Sequence, residues 1–142
     1  MGVRREGREA AVQYLYLRDL NGECDLLSFY KLRGLSPSAR RFCDGLVLGT
    51  QKNQTLIDEV ISKNTQNFEL NRIAAVDRNI LRIAVYEMFH CPETPPVVSI
   101  NEAIEIAKKL STEDSGRFVN GVLDQIKAGL NRPARSAAES RK

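Results

Sequence analysis

The sequence predicts an all-α protein of about seven helices. Apolar residues recur at three-and-four spacing through most of its 142 residues. The segments that carry this periodicity are separated by helix stop and start residues such as Asn21-Gly22, Ser36-Pro37 and Pro95-Pro96. Strand signals are essentially absent.

The first helix is expected over residues 5–20. Ala11, Val12, Leu15 and Leu20, with one or more of Tyr14, Tyr16 and Leu17, supply its buried face. Arg8 follows Arg5 and Arg4 by three and four residues, which makes a basic strip near the helix start. Cations there oppose the helix dipole, so the arrangement asks for another justification. Arginine suits bidentate phosphate contacts and base stacking, and RNA binding would supply that justification. On charge pattern alone, a solvated face balanced by Glu6 and Glu9 is the better account. Gly7 within this run lowers the local helix propensity.

Asn21-Gly22-Glu23 ends the first helix. Leu26, Leu27, Phe29, Tyr30 and Leu32 mark a short second one, stopped at Gly34. Ser36 as N-cap and Pro37 at the first helical position start a third, expected over residues 37–62. Phe42, Leu46, Ile57 and either Val60 or Ile61 are in register on it, with Gly45 and Gly49 permitting close approach of a neighbour. Its polar middle, residues 50–55, is an exposed stretch or a kink. Residues 64–70 read as a loop leading into a short turn. Ile73, Val76, Ile80, Ile83 and Ala84 then define a strongly apolar helix ending near His90, the expected centre of the fold. Arg78, Arg82 and Glu87 are its polar insertions.

Residues 100–126 read as two amphipathic helices joined by a polar turn. Ser99 and Glu102 stand in the S-x-x-E relation of a capping box, with Pro95 and Pro96 holding the preceding segment extended, so a helix is expected from about Ile100. Ile100, Ala103, Ile104, Ala107 and Leu110 form its buried stripe, and Glu105 with Lys109 an i,i+4 pair. The run Ser111-Thr112-Glu113-Asp114-Ser115 suits the start of the last helix, whose stripe is Val119, Val122, Leu123, Ile126 and Leu130. Phe118 lies about 100° round from Val119, towards Asp114, Arg117 and Gly121. From periodicity alone it reads as a core-edge aromatic ahead of a binding residue. The domain is expected over residues 1–130, with residues 131–142 a flexible, mildly basic tail.

Hydrophobic content of 42% and charged content of 27% are ordinary for a soluble globular protein, and the net charge of +3 permits a nucleic-acid partner without demanding one. No apolar run is long enough to span a bilayer and the N-terminus lacks a signal-peptide pattern, which predicts a cytoplasmic protein. Cys24, Cys43 and Cys91 are odd in number and widely separated, so neither disulfides nor zinc are indicated; Cys43 belongs to a core face. His90 and Cys91 are chain neighbours that do not face each other as a nucleophilic pair would, and His90 reads as a favourable helix C-terminal residue. No catalytic residues, metal ligands or cofactor site are expected.

Three motifs, RREGREAAVQYLY from Arg4, VDRNILRIAVYEM from Val76 and INEAIEIAKKLSTEDSGRFVNGVLDQI from Ile100, resemble the NusB family of bacterial transcription antitermination factors, in the family's order. The resemblance spans residues 4–126. It implies two small packed helical bundles and a non-enzymatic RNA-binding adaptor. It also implies pairing with NusE, a small-subunit ribosomal protein, and recognition of boxA RNA in ribosomal RNA leaders, with other Nus factors and RNA polymerase joining the assembled complex. Arg4, Arg5, Arg8, Gln13, Asp114, Arg117 and Phe118 are the RNA-binding residues it implies, and Tyr16, Asp77 and Arg82 those facing NusE. Read without it, Asp77 and Arg82 are equally well a helix N-terminal acid and an ordinary ion pair. The related RNA-binding module of some ribosomal RNA cytosine methyltransferases, normally fused to a catalytic domain, is one rival; a helical scaffold that binds only protein is the other.

Overall fold

The described residues form seven α-helices and one 3-10 turn: α1 Val3–Asn21, α2 Leu26–Arg33, α3 Pro37–Lys52, α4 Gln54–Lys63, the turn Leu70–Arg72, α5 Ala75–His90, α6 Pro96–Leu110 and α7 Glu113–Ala128. This computed structural model describes residues 2–65 and 69–130. The expected tail, residues 131–142, lies outside them. Among the described residues there is no strand, and no helix is long and apolar enough to cross a membrane.

Several boundaries follow from the capping chemistry. Asp25 accepts from the Ser28 backbone N–H at 3.1 Å to start α2, and Gly34 ends it in the left-handed region at φ 71°. Ser36 accepts from the Ala39 N–H at 3.2 Å, with Pro37 next to it, and Thr112 does the same for Ser115 at 3.0 Å at the head of α7.

Two expected helices differ. The single helix over residues 37–62 is broken at Asn53 (φ −109°, ψ 14°), whose side-chain amide donates to the Gly49 carbonyl at 2.8 Å. A short polar side chain that engages the backbone locally competes with helix continuation, so the polar middle is a break between α3 and α4. The second difference is at α6, which starts at Pro96 rather than Ile100. Proline at the first helical position lacks an N–H that would be orphaned anyway, so Pro95-Pro96 launches the helix instead of delaying it. Ser99 therefore does not cap: its hydroxyl is buried without a hydrogen bond, and Glu102 is drawn to α1 instead of to the Ser99 backbone. The expected Glu105–Lys109 pair is likewise replaced by Lys108–Glu105 and Lys109–Glu9.

α5 is the centre. Ile80, Leu81, Ile83, Ala84, Val85 and Met88 are buried on several of its sides, and it packs on α1, α3, α4, α6 and α7. Helices α1–α3 gather on one flank of it and α4, α6 and α7 on the other, with α6 and α7 closely paired. Ile106 rather than Ile104 joins the buried stripe of α6, and Leu20 at the end of α1 is exposed. Cys43 is in the core as expected, where burial pushes its thiol up to about 11. Gly49 does permit close approach: a Cβ there would fall 2.2 Å from the Tyr86 ring of α5. Gly45 does not, since a Cβ at that site meets nothing within 4 Å.

Candidate nucleic-acid interface

The arginines at the start of α1 are held in three different ways. Arg4 is exposed, its guanidinium 5.8 Å from the centre of the Phe42 ring on α3. Arg5 is half-buried and binds Glu102 of α6 through Nε at 3.0 Å and a terminal nitrogen at 2.5 Å. Those hydrogen bonds hold the Glu102 carboxyl below its usual range despite partial burial. Arg8 turns inward and is only 4% exposed. Its Nε and a terminal nitrogen bind both oxygens of Glu87 on α5 at 2.8 and 2.7 Å, with Glu102 3.6 Å away and Phe42 beneath. Burial opposes the Arg8 charge, but the hydrogen bonds and charge of Glu87 outweigh it and raise the guanidinium pKa.

Gly7 makes this arrangement possible. A Cβ there would come 2.8 Å from Phe42 Cδ2 and 3.0 Å from the Ala39 carbonyl, so the glycine that weakens α1 locally is what seats it on α3. Gln13 is half-buried and accepts from Arg33 Nε of α2 at 2.7 Å, which places it on the α2 side of the same helix.

Glu9, one turn after Arg5, accepts from Lys109 of α6 at 2.8 Å. The Lys108 side chain lies across the first turn of α7, since a Cβ on Gly116 would meet Lys108 Cγ at 3.1 Å. Arg117 and Phe118 follow Gly116 directly. Arg117 is exposed and bonded to exposed Asp114, and Phe118 is half-buried against the edge of the core. The starts of α1 and α7 are thus linked through the last turns of α6. Together they offer cationic groups, one acceptor and an aromatic edge, the chemistry that positions phosphates and stacks bases.

Asp77 and Arg82 sit at the junction where the end of α1 meets the starts of α5 and α7. Asp77 is buried and accepts from the Ser115 hydroxyl, tying α5 to α7. Arg82, 6% exposed, binds Asp58 of α4 at 2.8 and 3.1 Å, Asp19 of α1 at 3.0 Å and the Asn79 side chain at 3.1 Å. Arg78 joins Asp19 and also donates to the carbonyls of Leu70 and Ile73. Burial raises the Asp19 carboxyl pKa, but the bond from Asn79 and the charges of Arg82 and Arg78 bring it below its usual range. A shallow open depression lined by Asp19, Leu70, Asn71, Arg78 and Arg82 lies here, and Tyr16, half-buried, is one turn before Asp19 on α1.

Phe42, Glu87, Glu102 and Lys109 are site residues that the sequence does not mark as such. Their partners lie on other helices, from 34 to 100 residues away along the chain, so no local pattern announces them. The one available hint was the charge of Glu87 within an otherwise apolar helix.

The pattern of the NusB family matches residues 5–128. The transcription antitermination protein NusB of Sorangium cellulosum is 40% identical over 93% of this chain and 96% of its own length. That of Elusimicrobium minutum is 46% identical over 89% and 94%. Among solved structures, T. maritima NusB superposes with a TM-score of 0.80 at 36% identity, covering 92% of each chain. A crystal structure of the antitermination factors NusB and NusE in complex with dsRNA gives a TM-score of 0.83 at 28% identity, covering 92% of this chain and 99% of the other.

Proposed function

This chain belongs to the NusB family, and from that premise we propose that it is a non-enzymatic, cytoplasmic RNA-binding adaptor of transcription antitermination. It pairs with NusE and holds boxA-type single-stranded RNA of ribosomal RNA leaders, for assembly with other Nus factors on RNA polymerase. The observation that carries the reading is that α6 bridges the starts of α1 and α7: the Arg5–Glu102 and Lys109–Glu9 pairs hold it to α1, and Lys108 lies over Gly116 of α7, two residues before the half-buried Phe118. The solved complex of related NusB with NusE and RNA supports both classes of partner.

In this reading Arg4, Arg5 and Arg117 contact phosphates, Phe118 stacks a base, Asp114 supplies an acceptor, and Gln13, its oxygen held by Arg33, offers its amide N–H at the edge of the site. Arg8 contributes as a brace that fixes the slope of α1. Tyr16 meets NusE, while Asp77 and Arg82 set the shape of that face through their buried bonds.

Fluorescence anisotropy of labelled boxA RNA, a scrambled strand and a duplex, titrated with the protein alone and with NusE across a salt series, tests it. Selective binding of the boxA strand, strengthened by NusE, is the expected result. Equal binding of all three RNAs with NusE bound sinks the boxA reading and favours a methyltransferase-type module. Absence of RNA binding at low salt leaves a protein scaffold.

A further inference from the structure

Resting on the RNA-adaptor reading, we propose that Lys109, with Lys108 beside it, is a phosphate-contact residue that carries the RNA backbone from the α1 arginines to Phe118. Glu9 is 2% exposed and its carboxylate holds the Lys109 ammonium at 2.8 and 3.1 Å, whereas the Lys109 side chain itself is 53% exposed. An ammonium has three donors, and a carboxylate on one side leaves the outer ones facing water. A phosphate can therefore be added without breaking the pair. The buried carboxylate anchors the cation in one place, so less side-chain freedom is lost when RNA arrives.

The order of groups along the surface supports a continuous track. Arg5 and Glu9 are one turn apart on α1, about 6 Å along the axis. They grip Glu102 and Lys109 of α6, and the adjoining Lys108 runs over Gly116, the residue before Arg117 and Phe118. The cations thus follow one another as Arg5, Lys109, Lys108 and Arg117. Lys108 is 3.6 Å from Glu105, both well exposed, a pairing weak enough to yield to a phosphate. Without RNA in view, Lys108 and Lys109 read only as favourable charges at a helix C-terminus; that reading explains neither why Lys109 reaches across to α1 nor why Lys108 leans on α7.

The test compares the NusE complexes of wild type, Lys109→Gln, Lys108→Gln, Lys109→Arg and Lys109→Gln/Glu9→Gln for boxA RNA binding between 0.05 and 0.5 M salt, the concentrations being about a decade apart. Each lost phosphate contact is expected to lower the salt slope by about 0.7 and, at 0.1 M, to weaken binding about five-fold. Lys109→Arg should restore the wild-type slope. The double variant removes the buried carboxylate together with its cover, so it keeps the comparison valid if Lys109→Gln alone unfolds. Wild-type slopes in the Lys109 and Lys108 glutamine variants, with Arg5→Ala still lowering the slope, overturn this inference and leave the adaptor reading standing. A lower melting temperature with an unchanged slope would likewise make Lys109 merely the cover of Glu9. A wild-type complex that binds no RNA removes both readings.

Discussion

Replacing Arg8 by alanine should unfold this protein far more readily than it weakens any direct RNA contact. Glu87 is 2% exposed, and both its oxygens are bound by Arg8, at 2.8 and 2.7 Å. Removing one partner of such a pair leaves an uncompensated buried charge and costs about 3–5 kcal/mol. With a urea m-value of about 2 kcal/mol/M for a chain of this size, the midpoint should fall by about 2 M. Replacing both partners by apolar residues of similar volume, as in Arg8→Met/Glu87→Leu, should return the midpoint to near that of wild type, because the desolvation of both charges disappears with their attraction. Circular dichroism in urea reads the stability, and the salt slope of RNA binding, measured below the unfolding transition, reads the phosphate contacts. A brace predicts a low midpoint for Arg8→Ala and a wild-type slope for the double variant. An unchanged midpoint for Arg8→Ala with a slope lower by about 0.7 would refute the bracing role and make Arg8 a phosphate contact.

Gly45→Ala and Gly49→Ala form a matched pair one turn apart on α3. The first, in open space, should stabilise by about 0.5–1 kcal/mol. The second drives a methyl into the Tyr86 ring, which is itself stacked on His90 at 5.3 Å, and should cost a net of about 1–3 kcal/mol; melting temperatures that shift in the same direction would contradict the packing of α3 on α5. Glu102 and Asp19 have carboxyls held below their usual range, so the unfolded chain takes up protons first as pH falls. Their stabilisation should be complete above about pH 5 and be lost as pH drops through the depressed folded values. Urea midpoints between pH 3 and 7 should show a shallower acid limb in Glu102→Gln, and an equally steep one would discount the Arg5–Glu102 pair. Phe118→Leu keeps apolar packing at the core edge but removes the ring face; RNA affinity should drop by about 1–3 kcal/mol, and equal affinity in the folded variant would remove its stacking role.

Helix identity was readable because it depends on local chemistry: Ser36-Pro37 and Thr112 act within three residues of themselves, and Gly34 stops α2 by its own backbone freedom. Where two local signals compete, the outcome depends on tertiary partners. Ser99 and Glu102 have the spacing of a capping box, yet Arg5, 97 residues away, provides Glu102 with a charged partner, and Pro96 starts the helix first. Asn53 shows the converse, a local side-chain bond that divides what periodicity reads as one helix. Gly7 and Gly49 are alike in sequence to Gly45, and only the positions of Phe42 and Tyr86 tell them apart.

The candidate residues can be named from the sequence, but how each of their charges is held cannot be read there. Arg4, Arg5 and Arg8 read as a single strip, but one faces water, one is shared with α6 and one is buried. Four of the cations near the surface carry a carboxylate of their own: Arg5 with Glu102, Lys109 with Glu9, Lys108 with Glu105 and Arg117 with Asp114. On the adaptor reading, this pairing bears directly on affinity. A phosphate approaching such a cation gains less than it would at a free one, because the carboxylate beside it already screens the charge and repels the newcomer. The Glu102 and Glu9 carboxylates, the less exposed partners, in turn hold Arg5 and Lys109 at set positions on α1 and α6, which favours an RNA whose backbone follows that path over one that merely carries negative charge. A surface of this kind binds weakly by charge alone, and a second protein that adds contacts along the same strand supplies the remaining affinity, which is the physical reason to expect NusE to strengthen binding.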